Sequence, residues 1–123
     1  MTEPTLRQEI EVLYALAEQG VPLDKLIEFI FSMLPRHEAE LSAITNSYRL
    51  CAADTNYEAA FSLTNGHFSA LGREADTDAV ITGKEADLYM VFQRKLSPMA
   101  ALLRGKIKLR GSKAALVKLA AFL

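Results

Sequence analysis

The sequence holds one cysteine, two histidines and no tryptophan. A lone Cys51 cannot close an internal disulfide, which points to a reducing compartment and an expected cytoplasmic location. With only His37, His67 and Cys51 available, a zinc site would need carboxylates to complete it. The stretch His37-Glu38-Ala39-Glu40 departs from His-Glu-x-x-His because Leu41 follows it. No metal site is expected. No glycine pattern matches a phosphate loop or a dinucleotide fingerprint, so no cofactor is expected either. The longest apolar runs, such as Phe29-Ile30-Phe31, fall far short of the ~20 residues that span a bilayer. The opening Met-Thr-Glu-Pro lacks the basic and apolar regions of a signal peptide. Nothing in the sequence places a nucleophile beside a base, and an enzyme is not expected.

Acids are also missing from the last third of the chain. None follows Asp87, while Arg94, Lys95, Arg104, Lys106, Lys108, Arg110, Lys113 and Lys118 do. Residues 1–35 show the opposite balance, with six acids and two bases. A net charge of -1 therefore hides a strongly dipolar layout, which can seat a partner or an anionic surface on the basic end. Nucleic acid is not the expected partner. Single-strand binders interleave aromatics with their bases, and from Arg94 onward the one aromatic is Phe122.

With 50% hydrophobic and 24% charged residues, 123 residues suit a single globular domain. Residues 1–35 read as an N-terminal helical segment and residues 47–123 as a sheet-and-helix core. Leu6, Ile10, Leu13, Leu16 and Ala17 form one helical stripe over 5–19, closed by Gly20. A second helix over 22–34 carries Leu23, Leu26, Ile27, Ile30, Met33 and Leu34 on one side. Phe29 and Phe31 widen that arc, so this helix is expected to be buried on more than one side or to face a cavity. Pro35 ends it, and Glu38–Ile44 is expected to add a short helix. His37 reads as a solvated helix terminus and His67 as a strand residue beside a turn.

From Ser47 the period changes to two. Tyr48, Leu50 and Ala52 alternate with Arg49 and Cys51. Tyr57, Ala59, Phe61 and Leu63 share one face of a second strand, and Asn65-Gly66 then signals a hairpin to His67–Leu71. Ala79–Thr82 is a fourth strand. Two short helices, a fifth strand at Lys106–Arg110 and a final helix complete the order. Meander strands followed by helices imply an α+β fold: a five-stranded, mostly antiparallel sheet covered by helices on one face. In the fifth strand Lys106, Lys108 and Arg110 alternate with Ile107 and Leu109, giving one cationic and one apolar face. The closing run Leu119-Ala120-Ala121-Phe122-Leu123 is expected to dock into something apolar.

Several segments in this last third resemble the sterol carrier protein type 2 family. Ala79-Val80-Ile81-Thr82 leads to Gly83, and Glu85-Ala86-Asp87-Leu88 opens a helix. Arg94-Lys95-Leu96-Ser97-Pro98-Met99-Ala100-Ala101 is similar to the family's Gly-Lys-x-x-Pro-x-x-Ala stretch, with Arg94 in place of the glycine. Arg104-Gly105-Lys106-Ile107-Lys108-Leu109-Arg110-Gly111 is similar to its Gly-Lys-Leu-Lys-Ile-x-Gly strand, and Ala114–Leu119 to its final helix. The resemblance covers residues 76–119 well and leaves residues 1–20 outside. It implies a curved sheet with helices on one face, an apolar tunnel between the layers, and lipid binding without chemistry.

The expected function is therefore non-catalytic binding or transfer of a fatty acid, acyl-CoA or sterol-like ligand. Candidate lining residues are Phe61, Leu63 and Phe68 on the sheet and Leu88, Phe92, Met99, Leu103 and Phe122 on the helices. Lys106, Lys108 and Arg110 are the candidate contact with an anionic membrane. The alternative is an interaction or homodimerisation module with a collapsed tunnel, accessory to an enzyme.

Overall fold

The computed structural model describes residues 3–122. Two helices come first, α1 (Leu6–Glu18) and α2 (Leu23–Met33). Thr5 starts α1 with a reciprocal cap: its hydroxyl accepts from the Gln8 amide, and the Gln8 side chain accepts from the Thr5 amide. After α2, Pro35 forces a tight 3-10 turn over Leu34–His37. The helix expected over Glu38–Ile44 does not form, and residues 38–43 run as successive turns instead. Only Leu41 and Ile44 are buried there, too few apolar positions to hold a helical stripe against the core.

The strands are β1 (Asn46–Ala52), β2 (Tyr57–Thr64), β3 (His67–Leu71), β4 (Ala79–Gly83) and β5 (Ile107–Gly111). They form one open sheet in the order β3-β2-β1-β4-β5. Only β1 and β4 pair in parallel; the other three pairings are antiparallel. The β2–β3 hairpin turns at Asn65 and Gly66, with φ of 49° and 83°, as the primed turn of a two-residue hairpin requires. A Cβ on Gly66 would collide with the Glu38 carbonyl oxygen, so only glycine lets the hairpin tip dock on the 38–44 turns.

Three more helices follow, α3 (Glu85–Phe92), α4 (Pro98–Leu103) and α5 (Lys113–Ala120). Asp54 accepts from the Glu85 amide at 2.9 Å and so caps α3. At its other end α3 closes through Arg94, which adopts a left-handed φ of 60°. The Lys95 amide then reaches the Met90 carbonyl at 3.0 Å. Glycine adopts such a backbone most readily; here an arginine takes the conformation.

Register places Tyr48, Leu50, Ala59, Phe61, Leu63, Phe68, Ile81, Ile107 and Leu109 on one sheet face. That face meets the helices. The opposite face carries Arg49, Cys51, Glu58, Lys108 and Arg110. Arg49 is nevertheless buried, because the link from β3 to β4 crosses over it. Its guanidinium donates to the carbonyls of Gly72 at 3.0 Å and Ala75 at 2.6 Å.

Candidate functional site

An apolar cavity of about 160 Å³ lies between the sheet and the helices. Its floor is Tyr48, Leu50, Ala59, Phe61, Ile81 and Ile107 from the inner sheet face. Its roof combines Leu6, Ile10 and Leu13 of α1, Ile27, Ile30 and Phe31 of α2, Leu88 and Phe92 of α3, and Leu116, Leu119 and Phe122 at the C-terminal end. Among the described residues Arg49 is the one charged residue at its wall, and its guanidinium points to the other sheet face, where the Gly72 and Ala75 carbonyls hold it. The Tyr48 hydroxyl is likewise satisfied, donating to the Ala115 carbonyl at 2.7 Å. Burial pushes the Tyr48 phenol up to about 12, so the ring stays neutral at physiological pH. A neighbouring depression of about 340 Å³ shares Ile27, Phe31 and Ala59 and adds Glu28, Glu58 and Arg73.

Four of the residues singled out from sequence, Phe61, Leu88, Phe92 and Phe122, stand at the cavity wall. Leu63 and Phe68 share its sheet face but lie behind the wall. Leu63 is fully buried in the core beside Tyr48. Phe68 stacks on Phe61 at 5.9 Å between ring centres and meets the edge of Phe31 at 5.1 Å. Met99 and Leu103 require a correction. They are four apart on α4 and so share a face, and that face points to solvent: Met99 is 36% exposed and Leu103 88%. The helix turns Ala101 inward instead. Leu119, Ala120 and Phe122 of the apolar closing run reach the cavity, while Leu123 lies outside the described residues.

The sequence marks Leu6, Ile10 and Leu13 as one apolar stripe but not as a cavity roof, whereas the broad apolar arc of α2 signals a helix facing a cavity. A polar cluster fixes α1 in place. His37, read from sequence as a solvated terminus, is 5% exposed. Its Nε2 meets the Glu9 carboxylate of α1, and its Nδ1 lies 2.9 Å from Glu40. Arg36 donates to the other Glu9 oxygen, and the Leu6 amide donates to Glu40 at 3.2 Å. Burial alone would push the Glu9 carboxyl up, but hydrogen bonds and charge from Arg36 and His37 outweigh it and hold it below the usual carboxylate value. No local pattern signals this cluster, because Glu9 and His37 are 28 residues apart.

The far end of α1 is held by Arg94. It pairs with Glu11 and lies over the Tyr14 ring at 4.2 Å. Tyr89 of α3 donates its hydroxyl to the Ala17 and Val21 carbonyls. The chemistry available to the site is that of packing. Burial and the neighbouring Glu58 carboxylate push the Cys51 thiol up, away from the reactive thiolate. Among the described residues no group of three His, Cys, Asp or Glu side chains is placed to hold a metal ion. No helix among them is long and apolar enough to cross a membrane.

Comparison with known proteins fits this architecture. The sec-alkylsulfatase Pisa1 from a Pseudomonas species contains a similar fold, with a TM-score of 0.64 and 19% identity over 77% of this chain. The present chain spans only 16% of that enzyme's length. Palmitated SCP2L2 from Aedes aegypti superposes with a TM-score of 0.62 and 19% identity, over 82% of this chain and 93% of that one. A conserved hypothetical protein of Thermus thermophilus, TT1886, matches at 27% identity and a TM-score of 0.53, over 72% of each chain. No curated protein sequence matches. The family model described as the SCP-2 sterol transfer family matches residues 23–123, which begins at α2 and leaves α1 in front of it. The chain belongs to the SCP-2 sterol transfer family.

Proposed function

We propose that this protein binds a lipid or another apolar small molecule between its sheet and helices and carries it without chemical change. The observation behind this reading is the apolar cavity at the interlayer position of an SCP-2 family chain. A fatty acid, an acyl-CoA chain or a sterol-like ligand would gain roughly 0.8 kcal/mol per buried methylene there. That one fold relative, SCP2L2, is palmitated accords with an acyl chain. At about 160 Å³ the cavity is smaller than the ~300 Å³ at which ligand pockets usually start. Uptake of a whole acyl chain therefore requires the roof to move outward. The depression that shares Ile27, Phe31 and Ala59 with the cavity is the proposed way in. Exchange with a bilayer would bring Lys106, Lys108 and Arg110 toward anionic head groups. The unpaired Cys51 fits a reducing cytoplasm.

Native mass spectrometry of the purified protein, followed by displacement of a fluorescent fatty acid, tests the reading. Micromolar uptake is expected, and Ala59→Phe, which fills the cavity from its floor, should abolish it. Uptake undiminished by Ala59→Phe would move the ligand elsewhere. No uptake at all by the unaltered protein would favour a second reading, an interaction or dimerisation module with a filled core. The small cavity and its cover by α1 are the observations on that side.

A further inference from the structure

Leu103 is the most exposed large apolar side chain among the described residues, at 88%. Met99 stands one turn away on the same face of α4. Around them the chain carries cations only. Lys95 precedes α4, Arg104 follows it, and Lys106 comes just before β5; all three are exposed. None of them, nor Lys108, has a carboxylate partner among the described residues, whereas Arg7, Lys25, Arg36, Arg49, Arg73 and Arg94 all do. The segment after Asp87 offers no acidic side chain to pair with them.

An apolar side chain projecting from a fringe of uncompensated flexible cations suits one kind of surface best. We infer that the α4 face is a membrane anchor: Leu103 and Met99 enter the head-group boundary of an anionic phospholipid bilayer while Lys95, Arg104 and Lys106, the cations that flank α4 in the chain, meet its phosphates and carboxylates. Charge complementarity selects the anionic bilayer, and the apolar tip supplies a contact that cations alone lack. The basic strand already tied to membrane exchange thus gains an apolar partner residue that the inward-facing expectation for Leu103 had hidden. Pro98 at the start of α4 lines the cavity, so an anchored α4 would set the cavity beside the bilayer. The inference extends the exchange reading but does not depend on what fills the cavity.

Co-sedimentation with phosphatidylcholine vesicles, with and without phosphatidylserine, tests it. Binding is expected to require phosphatidylserine and to fall steeply as salt is raised. Arg104→Gln and Lys106→Gln should each weaken it roughly fivefold. Leu103→Ser should weaken it about tenfold at unchanged melting temperature, since the side chain is outside the core. Equal binding to both vesicle types, or Leu103→Ser binding like the unaltered protein, would overturn the anchor. So would a dimer in sedimentation velocity that Leu103→Ser dissociates, which would give the face to a second copy. Fatty-acid displacement without vesicles separates the two proposals. Loss of vesicle binding with uptake intact defeats the anchor alone, and absent uptake with vesicle binding intact defeats the cavity reading alone.

Discussion

From Arg7 to Arg73 the five cations Arg7, Lys25, Arg36, Arg49 and Arg73 each have a carboxylate within 4.0 Å. From Lys95 to Lys118 the seven cations Lys95, Arg104, Lys106, Lys108, Arg110, Lys113 and Lys118 have none among the described residues. The two stretches hold similar residue types and use them differently. In the first, charge closes the structure: it seats α1 on the 34–40 turn and ties the β3–β4 link across Arg49. In the second, apolar contacts of Leu96, Ala101, Ile107 and Leu116 carry the packing, and the charges are left for the surroundings. The difference matters because a buried charge that loses its partner is costly, whereas an exposed one contributes little to stability.

The comparison breaks most visibly at Glu9. Glu9→Leu leaves the buried His37 without one of its two carboxylates and should cost about 3 kcal/mol in urea unfolding. Acid should act on the same contact. Because the Glu9 carboxyl is held down in the folded state, its stabilisation is present above the ordinary carboxylate range and is lost as pH falls through the lowered value. Glu9→Gln should flatten that acid limb. A full-strength acid limb in this variant would show that the cluster is not its source. Arg49→Met is the next largest change. It removes the guanidinium that donates to the Gly72 and Ala75 carbonyls and should cost about 2 kcal/mol, with hydrogen exchange rising in residues 72–78. Lys106→Gln comes last. Its effect on unfolding should stay within about 0.5 kcal/mol, and a larger loss would show that the basic stretch is structural after all.

These sites also mark how far sequence could be read. The alternation from Tyr48 to Ala52, the Asn65-Gly66 turn and the glycine-bracketed strand at Ile107–Gly111 declare themselves locally, and the sheet follows from them. The parallel β1–β4 pairing has no such local mark. It depends on contacts such as the Asp78 carboxylate accepting from the Ser47 amide at 2.9 Å, 31 residues away. The cavity wall is half legible. Phe61 and Leu88 lie on elements whose facing side is fixed by period. On the six-residue α4, period alone leaves the inward direction open, and Ala101 takes the core position expected for Leu103. The α1 latch is invisible because its members, Glu9, His37 and Glu40, read singly as ordinary surface residues.

Arg94 joins the two regions. A left-handed backbone is where family-like sequences place glycine, and a side chain there costs on the order of 1 kcal/mol. This chain keeps a guanidinium at that point, and the guanidinium reaches back to Glu11 and Tyr14 on the one helix the family model omits. The residue is thus a signature of architecture. Among relatives, a basic side chain at the position after α3 should travel with an added N-terminal helix bearing an acid to meet it, and glycine should return where that helix is missing.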